Sequence, residues 1–241
     1  MKIFTLLRKG WTHPVFCEDF LISLDIDSNF FVGAVMDGCS SATDSHFAST
    51  LMGKILKKHA KLLPYQSFYS EKSSPSEVGK WLLVQLFNDL IKTRNELLLE
   101  PLEMLATLNL LIYNKIQKNI WIIALGDGVI KINDQLIEID QDNRPDYLAY
   151  HLGENFSDWF QVQKNIYEYL EPQDISISSD GVMSFQSYKT DLPEGFSPVD
   201  FLLNNTEWSN QPNMLTRKFN ILEKTYGFKP ADDIGILRII F

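Results

Sequence analysis

An α+β fold is predicted: a β-sandwich of two mainly antiparallel sheets flanked by helices. Strand-like and helix-like runs come in blocks, without the βαβ alternation of a parallel sheet. About eight or more strand patterns occur, too many for one open sheet beside the helices. The 241 residues are 45% apolar, enough for one large core, so a single domain over 1–241 is expected.

KIFTLL (2–7) reads as a first strand, and residues 10–16, with Trp11, His13 and Pro14, as a loop. FLISLDI (20–26) and FFVGAVM (30–36) are apolar runs joined by Asp27-Ser28-Asn29, the pattern of a hairpin. Phe47, Leu51 and Ile55 have helical spacing. That helix follows Asp37-Gly38, starts at Thr43 or Asp44, and is closed near Leu63 by Pro64. Ser74-Pro75-Ser76-Glu77 has capping-box spacing with proline at the first helical position. A long helix follows to about Leu99, its inner face marked by Trp81, Leu82, Gln85, Leu86, Leu90 and Leu97. Runs at 104–113, 119–125, 129–132 and 135–139 predict a meander, with Asn133-Asp134 as a hairpin turn. Residues 140–165 carry little pattern, and Asp142, Asn143, Arg144, Pro145 and Gly153 mark them as a mobile surface segment. Strands are expected at 166–170 and 174–178, and turns over 190–198. A last helix is opened by Pro212 and ended by Gly227, before a closing strand at 234–240.

Acids outnumber bases 31 to 22, for a net charge of -9. That argues against a nucleic-acid surface, which needs a basic face. No apolar run approaches the length of a membrane span. MKIFTLLRKG places its apolar run before its basic residues, the reverse of a secretory signal. The two cysteines, Cys17 and Cys39, form no CxxC, so neither a disulfide framework nor a structural zinc site is expected. A reducing cytosol is the simplest home.

Acids gather at predicted strand ends: Glu18, Asp19, Asp37, Asp127, Asp180, Asp232 and Asp233. Asp37, Asp127 and Asp180 each precede a glycine. Any one D-G step reads as an ordinary turn. Gly38 also lets another atom approach the backbone closely. As a set on one rim, the carboxylates would repel one another unless a cation joined them. Hard divalent ions such as Mg²⁺ or Mn²⁺ suit oxygen ligands, and two of them sharing a carboxylate make a hydrolytic site.

The ordered motifs CEDF (17–20), VMDGCSSA (35–42), TLNLLIY (107–113), ALGDGV (124–129), ISSDGVM (177–183) and ADDIGIL (231–237) resemble those of the PP2C-type metal-dependent protein phosphatases. The resemblance runs from about Gly10 to Ile240, nearly the whole chain, and GWTH…CEDF with DGCSSA points to a bacterial branch. It implies hydrolysis of phosphoserine or phosphothreonine in a protein substrate tied to a Ser/Thr kinase. A hydroxide bridging two Mn²⁺ or Mg²⁺ ions would attack in line. By position Asp37 would bridge the ions and the Gly38 carbonyl would serve the second. Asp180 and Asp232 would ligate the first. Glu18 would hold a metal-bound water with Asp19 in support, and Asp127 with Asp180 could take a third ion.

The chain departs from that pattern in several places. Pro14 stands where many members have a phosphate-clamping arginine, leaving Arg8, Lys9 or His13 as substitutes. Cys39 stands where many have a histidine assigned as general acid, and reads as a small buried residue in preference to a reactive thiol. Serine replaces the second glycine of the DGHG form, and Asp233 replaces a common Asn. Three rival readings follow. Gly38-Cys39-Ser40-Ser41-Ala42 imitates a nucleophile elbow, but no histidine follows His151 to complete a serine-hydrolase triad. Neither cysteine begins the C-x₅-R loop of a cysteine phosphatase. The third rival is a catalytically weak or inactive PP2C-like regulatory or binding module.

Overall fold

The computed structural model describes all residues except 43, 71, 143 and 190–194. The chain opens with β1 (Lys2–Arg8), β2 (Phe20–Asp25) and β3 (Phe30–Met36). Helices α1 (Ser45–Leu62) and α2 (Pro75–Leu97) follow. Next come β4 (Leu108–Asn114), β5 (Asn119–Leu125), β6 (Gly128–Ile132) and β7 (Gln135–Ile139). A short helix α3 (Phe156–Gln161) leads to β8 (Ile166–Leu170), β9 (Asp174–Ser178) and β10 (Phe185–Ser187). Helices α4 (Pro198–Leu203) and α5 (Met214–Ile221), then β11 (Phe228–Pro230) and β12 (Ile234–Ile240), complete the order.

Two five-stranded sheets form, β1-β12-β9-β6-β7 and β2-β3-β4-β5-β8, with a separate β10-β11 pair. Every pairing in both large sheets is antiparallel. Period-two alternation divides β3 between two cores. Phe30, Val32, Ala34 and Met36 face α1 and α2, whereas Phe31 and Val35 face the opposite sheet. A third core lies between the far sheet, through Phe4, Leu6 and Ile236, and α4 and α5, through Leu203, Leu215 and Phe219. The layers are therefore helix, sheet, sheet, helix, as the sandwich reading expects. Among the described residues, no helix is long and apolar enough to cross a membrane.

Several expectations need correction. The meander is broken, because β4 and β5 belong to one sheet and β6 and β7 to the other. The chain changes sheet at Gly126-Asp127, where Gly126 takes φ +78°. The Asn133-Asp134 turn does close β6 on β7, with Asn133 at φ +52°. The run from 104 becomes strand only at Leu108, after a 3₁₀ turn over Pro101–Met104. Leu97 is exposed, because the buried face of α2 runs through Val78, Leu82, Leu86 and Leu90. Residues 140–165 contain a 3₁₀ turn and α3, and Leu148, Leu152 and Trp159 anchor them in the first core. Asn143 there, Thr43 before α1, and 190–194 of the predicted turn region lie outside the described residues. Helix α4 went unpredicted although Ser197 caps it, accepting from Asp200 N at 3.2 Å.

The capping box at Ser74 and Glu77 forms as its spacing predicts. Beyond that start, Gly79 lets α2 sit down on the sheet. A Cβ there would lie 2.3 and 2.4 Å from ring atoms of the buried Trp121. Replacing a mid-helix glycine with alanine ordinarily stabilises by about 0.5–1 kcal/mol. Overpacking against a rigid ring costs about 1–3 kcal/mol and decides the sign. Gly79→Ala is expected to lower the urea midpoint without changing the slope of the transition; a raised midpoint would contradict this contact.

Candidate active site

Antiparallel register brings together acids far apart in the chain. The ends of β1, β3, β5 and β9 and the starts of β2, β4, β6 and β12 share one edge of the sandwich. Asp37 follows β3, Asp127 precedes β6, Asp180 follows β9, and Asp232-Asp233 precede β12. Glu18 and Asp19 enter β2 at the same edge.

Close backbone packing fixes the positions. A Cβ on Gly38 would meet the Ser45 carbonyl oxygen at 1.9 Å, and one on Gly181 would meet the Asp233 carbonyl oxygen at 1.8 Å. Neither glycine has positive φ, so these D-G steps serve close approach and not a left-handed turn. Asp37 is bracketed by Thr107, which accepts from Asp37 N at 3.2 Å and donates its own N–H to Asp37 O at 2.8 Å.

Asp19 is buried, with Oδ2 accepting from Ser179 Oγ at 2.6 Å and Oδ1 lacking a partner. Burial pushes the Asp19 carboxyl above its ordinary range. Asp37 is raised as well, by burial and by the nearby charges of Asp19, Asp180 and Asp232. Asp180 is pushed up to about 6 by burial and then by Asp232 and Asp127. Asp232 is raised by burial, against backbone hydrogen bonding and the His13 charge. These are the signs of carboxyls crowded together and partly withdrawn from water.

His13 sits among acids. Its Nδ1 lies 2.8 Å from Asp233 Oδ2 and its Nε2 3.2 Å from Asp232 Oδ1. Burial opposes its protonation, but Asp233, Glu18 and Asp232 outweigh burial and raise its pKa. Both ring nitrogens are thus engaged by carboxylates. Arg8 lies over the Phe219 ring at 5.7 Å, and Lys9 Nζ donates to Pro14 O at 3.1 Å. Glu18 is held by Ser40 Oγ at 2.7 Å and Ser45 Oγ at 2.5 Å. Cys39 is a half-buried free thiol beside the Tyr147 phenol, whose pKa is raised by burial and by that neighbour. Asp127 and Asp180 line a cavity of about 290 Å³ with Glu138, Asp140, Asp142 and Met183.

Sequence reasoning missed the supporting shell. Asp233 accepts from Gly10 N at 2.6 Å and from Glu18 N as well as pairing with His13, which ties loop 10–18 to the last strand. Ser179 links Asp19 to Gly235, accepting from Gly235 N at 2.9 Å. The only signal for Ser179 was its place one residue before a D-G step. Ser40 and Thr107 lie inside the quoted motifs VMDGCSSA and TLNLLIY but nothing there assigned them a supporting role, and Ser45 carried no signal, since their partners lie far off in sequence.

The donor set fits a hard divalent ion: carboxylate and carbonyl oxygens, raised carboxyl pKa values, and an unpartnered Asp19 Oδ1. Among the described residues, however, no three His, Cys, Asp or Glu groups already close on one point as a finished cage.

Comparison with known proteins now assigns the family. The model of the protein phosphatase 2C family matches residues 14–217. The chain therefore belongs to the protein phosphatase 2C family. Among curated proteins no sequence relative was found. The S. agalactiae serine/threonine phosphatase superposes with TM-score 0.65 at 16% identity, over 100% of this chain and 99% of that one. A bacterial serine phosphatase gives TM-score 0.62 at 11% identity, over 99% and 96%. RsbX in complex with magnesium gives TM-score 0.55 at 13% identity, over 98% and 92%. These likenesses show a shared fold.

A strap held by side-chain contacts runs from Asp127 through Gln141 and Asp146 to His151 and Glu154. Gln141 N donates to Asp127 Oδ1 at 2.8 Å, and Gln141 Oε1 accepts from Asp146 N at 2.5 Å. His151 then joins Asp146, at 2.7 Å through Nε2, to Glu154, at 2.8 Å through Nδ1. Burial opposes the His151 charge, but these two carboxylates raise its pKa above its ordinary 6.5. A raised folded pKa stabilises the strap fully below that ordinary value and loses its effect as pH rises through the raised one. Amide exchange over 146–154, corrected for intrinsic rate, should be faster at about pH 9 than at about pH 6. Asp146→Asn should shrink that difference; equal protection at both pH values would contradict the bridge.

Proposed function

We propose that the chain is a single-domain, metal-dependent phosphatase that hydrolyses phosphoserine or phosphothreonine in a protein substrate of a Ser/Thr kinase. The observation that carries this is the crowding of Asp19, Asp37, Asp180 and Asp232, each with a raised pKa, at one edge of a phosphatase 2C fold. Asp37, Asp180 and Asp232 would hold two Mn²⁺ or Mg²⁺ ions with the Gly38 carbonyl, and Asp127 with Asp180 could take a third. When bound, the ions would supply an activated water and neutralise charge on the phosphate. The magnesium recorded with RsbX supports the same metal class here.

The chain's own groups would do the rest. Glu18, fixed by Ser40 and Ser45, and Asp19, fixed by Ser179, would orient water as hydrogen-bond acceptors. His13 would hold its protons between Asp233 and Asp232, keep loop 10–18 in register, and add one positive charge among the acids. It would replace the family's phosphate-clamping arginine only as this local charge. Cys39 carries no arginine loop and so would not act covalently. Without a histidine at position 39, alkyl phosphates, whose leaving groups need a proton, should react more slowly than aryl phosphates.

Turnover should require Mn²⁺ or Mg²⁺ and vanish on chelation; undiminished turnover in protein shown to be metal-free would refute the metal requirement. At saturating Mn²⁺, Asp37→Asn should lose at least about a hundredfold in kcat/KM, about 2.7 kcal/mol of transition-state stabilisation. Cys39→Ser should stay within about tenfold, about 1.4 kcal/mol. A dead Cys39→Ser beside an active Asp37→Asn would refute the mechanism.

A further inference from the structure

We infer that Asn109 is a positioning residue that sets the spacing between acids carried by the two sheets, Asp37 on one and Asp180 on the other. This rests on the phosphatase reading and deepens it, by naming what holds those acids at a fixed separation.

Asp37 follows β3 and Asp180 follows β9, so their separation depends on how the end of β9 sits against the facing sheet. Two side-chain hydrogen bonds cross between the sheets there. Asn109, on β4, donates from Nδ2 to Ser178 O at 2.9 Å. Ser179 Oγ donates to Asp19 Oδ2 at 2.6 Å. These bonds grip consecutive residues, and the next residue is Asp180. Ser178 O and Ser179 N belong to one planar peptide group. Ser179 N donates to Gly235 O at 3.1 Å, so Asn109 fixes the other side of a peptide already held by the start of β12. On its own sheet Asn109 pairs with Val35, two residues before Asp37. One amide thus reaches from the strand beside Asp37 to a peptide one residue short of Asp180. Groups that share an ion must hold their places to within about 0.5 Å, which makes such a strut matter.

The facing backbone makes room for the amide. A Cβ on Gly128 would lie 2.2 Å from Asn109 Nδ2. Gly235, on the strand at the other side of β9, would put a Cβ 2.8 Å from Val35 Cγ1 and 3.1 Å from Asp19 Oδ2. The third D-G step, Asp127-Gly128, therefore serves close approach as those at Gly38 and Gly181 do. Stability does not account for the amide. Asn109 is 1% exposed, and among the described residues its Oδ1 has no partner. The next inward-facing residues of β4, Leu111 and Tyr113, belong to the apolar core between the sheets. A buried acceptor left unpaired costs at least as much as one neutral hydrogen bond returns. An apolar side chain of similar size would therefore suit the fold as well, and the use of the amide lies in the geometry of the acids above it.

The test compares the full chain with Asn109→Leu, which keeps the volume and removes the donor. Amide exchange is measured first, in metal-free protein. Relative to Ile122 in the middle of β5, the Ser179 N–H should exchange at least about fivefold faster in the variant than in wild type. The urea midpoint of the variant should equal that of wild type or exceed it. Its Mn²⁺ affinity, read from the electron paramagnetic resonance signal of the free ion, should fall at least about fivefold. Where Asn109→Leu does not fold, Asn109→Ala carries the same expectations for exchange and affinity. Unchanged relative exchange at Ser179 would overturn the inference. So would unchanged Mn²⁺ affinity in a variant whose Ser179 exchange has risen. A loss of affinity that comes only with uniformly faster exchange would also overturn it, because Asn109 would then serve the fold at large. Wild type that binds no Mn²⁺ fails the metal reading alone, and the exchange at Ser179 then decides the role of Asn109.

Discussion

Mutual repulsion among crowded carboxyls, buried and half-buried, at one edge of the sandwich is the constraint around which this molecule is arranged. Asp19 and Asp37 are each raised in pKa by burial, and Asp37 feels Asp19, Asp180 and Asp232 besides. A fold does not gather such groups for stability, since each prefers water or a cation. The rest of the edge is built to hold them in place regardless. Thr107 brackets Asp37, Ser179 holds Asp19, and Asp233 fastens the loop that carries His13 and Glu18. Local order is thus concentrated where electrostatics is least favourable, the usual mark of a site kept for chemistry.

The scaffold explains why this is feasible. Both large sheets are wholly antiparallel, so strand starts and strand ends alternate along one edge, and acids from residue 18 to residue 233 meet there. The sheet-to-sheet core of Phe31, Val35, Leu111, Ile130, Ile177 and Leu237 holds the two sheets together. At the opposite end a buried Arg238 binds Asp174 through two nitrogens, at 3.0 and 2.6 Å, and donates to carbonyls of Leu202, Asn204 and Asn205. There a buried charge has both an opposite charge and hydrogen-bond partners, the condition under which burial is tolerated.

The sequence made the strands of the two large sheets, the two long helices and the acid set legible, because strand-end D-G steps and apolar periodicity are local signals, whereas the short β10–β11 pair went unpredicted. Asp37, Asp180 and Asp232 could be picked out because each interrupts an apolar run at its end. What failed was non-local. Nothing in the run from 119 to 139 shows that the chain changes sheets at Gly126-Asp127, since each strand looks alike whichever sheet it joins. The roles of Ser179, Ser45 and Asp233 depend on partners from 27 to more than 200 residues away. The strap over 140–165 read as mobile because its anchors, Leu148, Leu152 and Trp159, are spaced too irregularly to show a period. Solved structures at 11–16% identity share this fold, so its determinants lie in pattern and register more than in particular residues.

The metal reading is tested most directly by anomalous diffraction from crystals soaked in Mn²⁺. It predicts two strong peaks at this edge, with Asp37 between them and Asp180 and Asp232 among the ligands. Crystals saturated with Mn²⁺ that show no peak at this edge would contradict it.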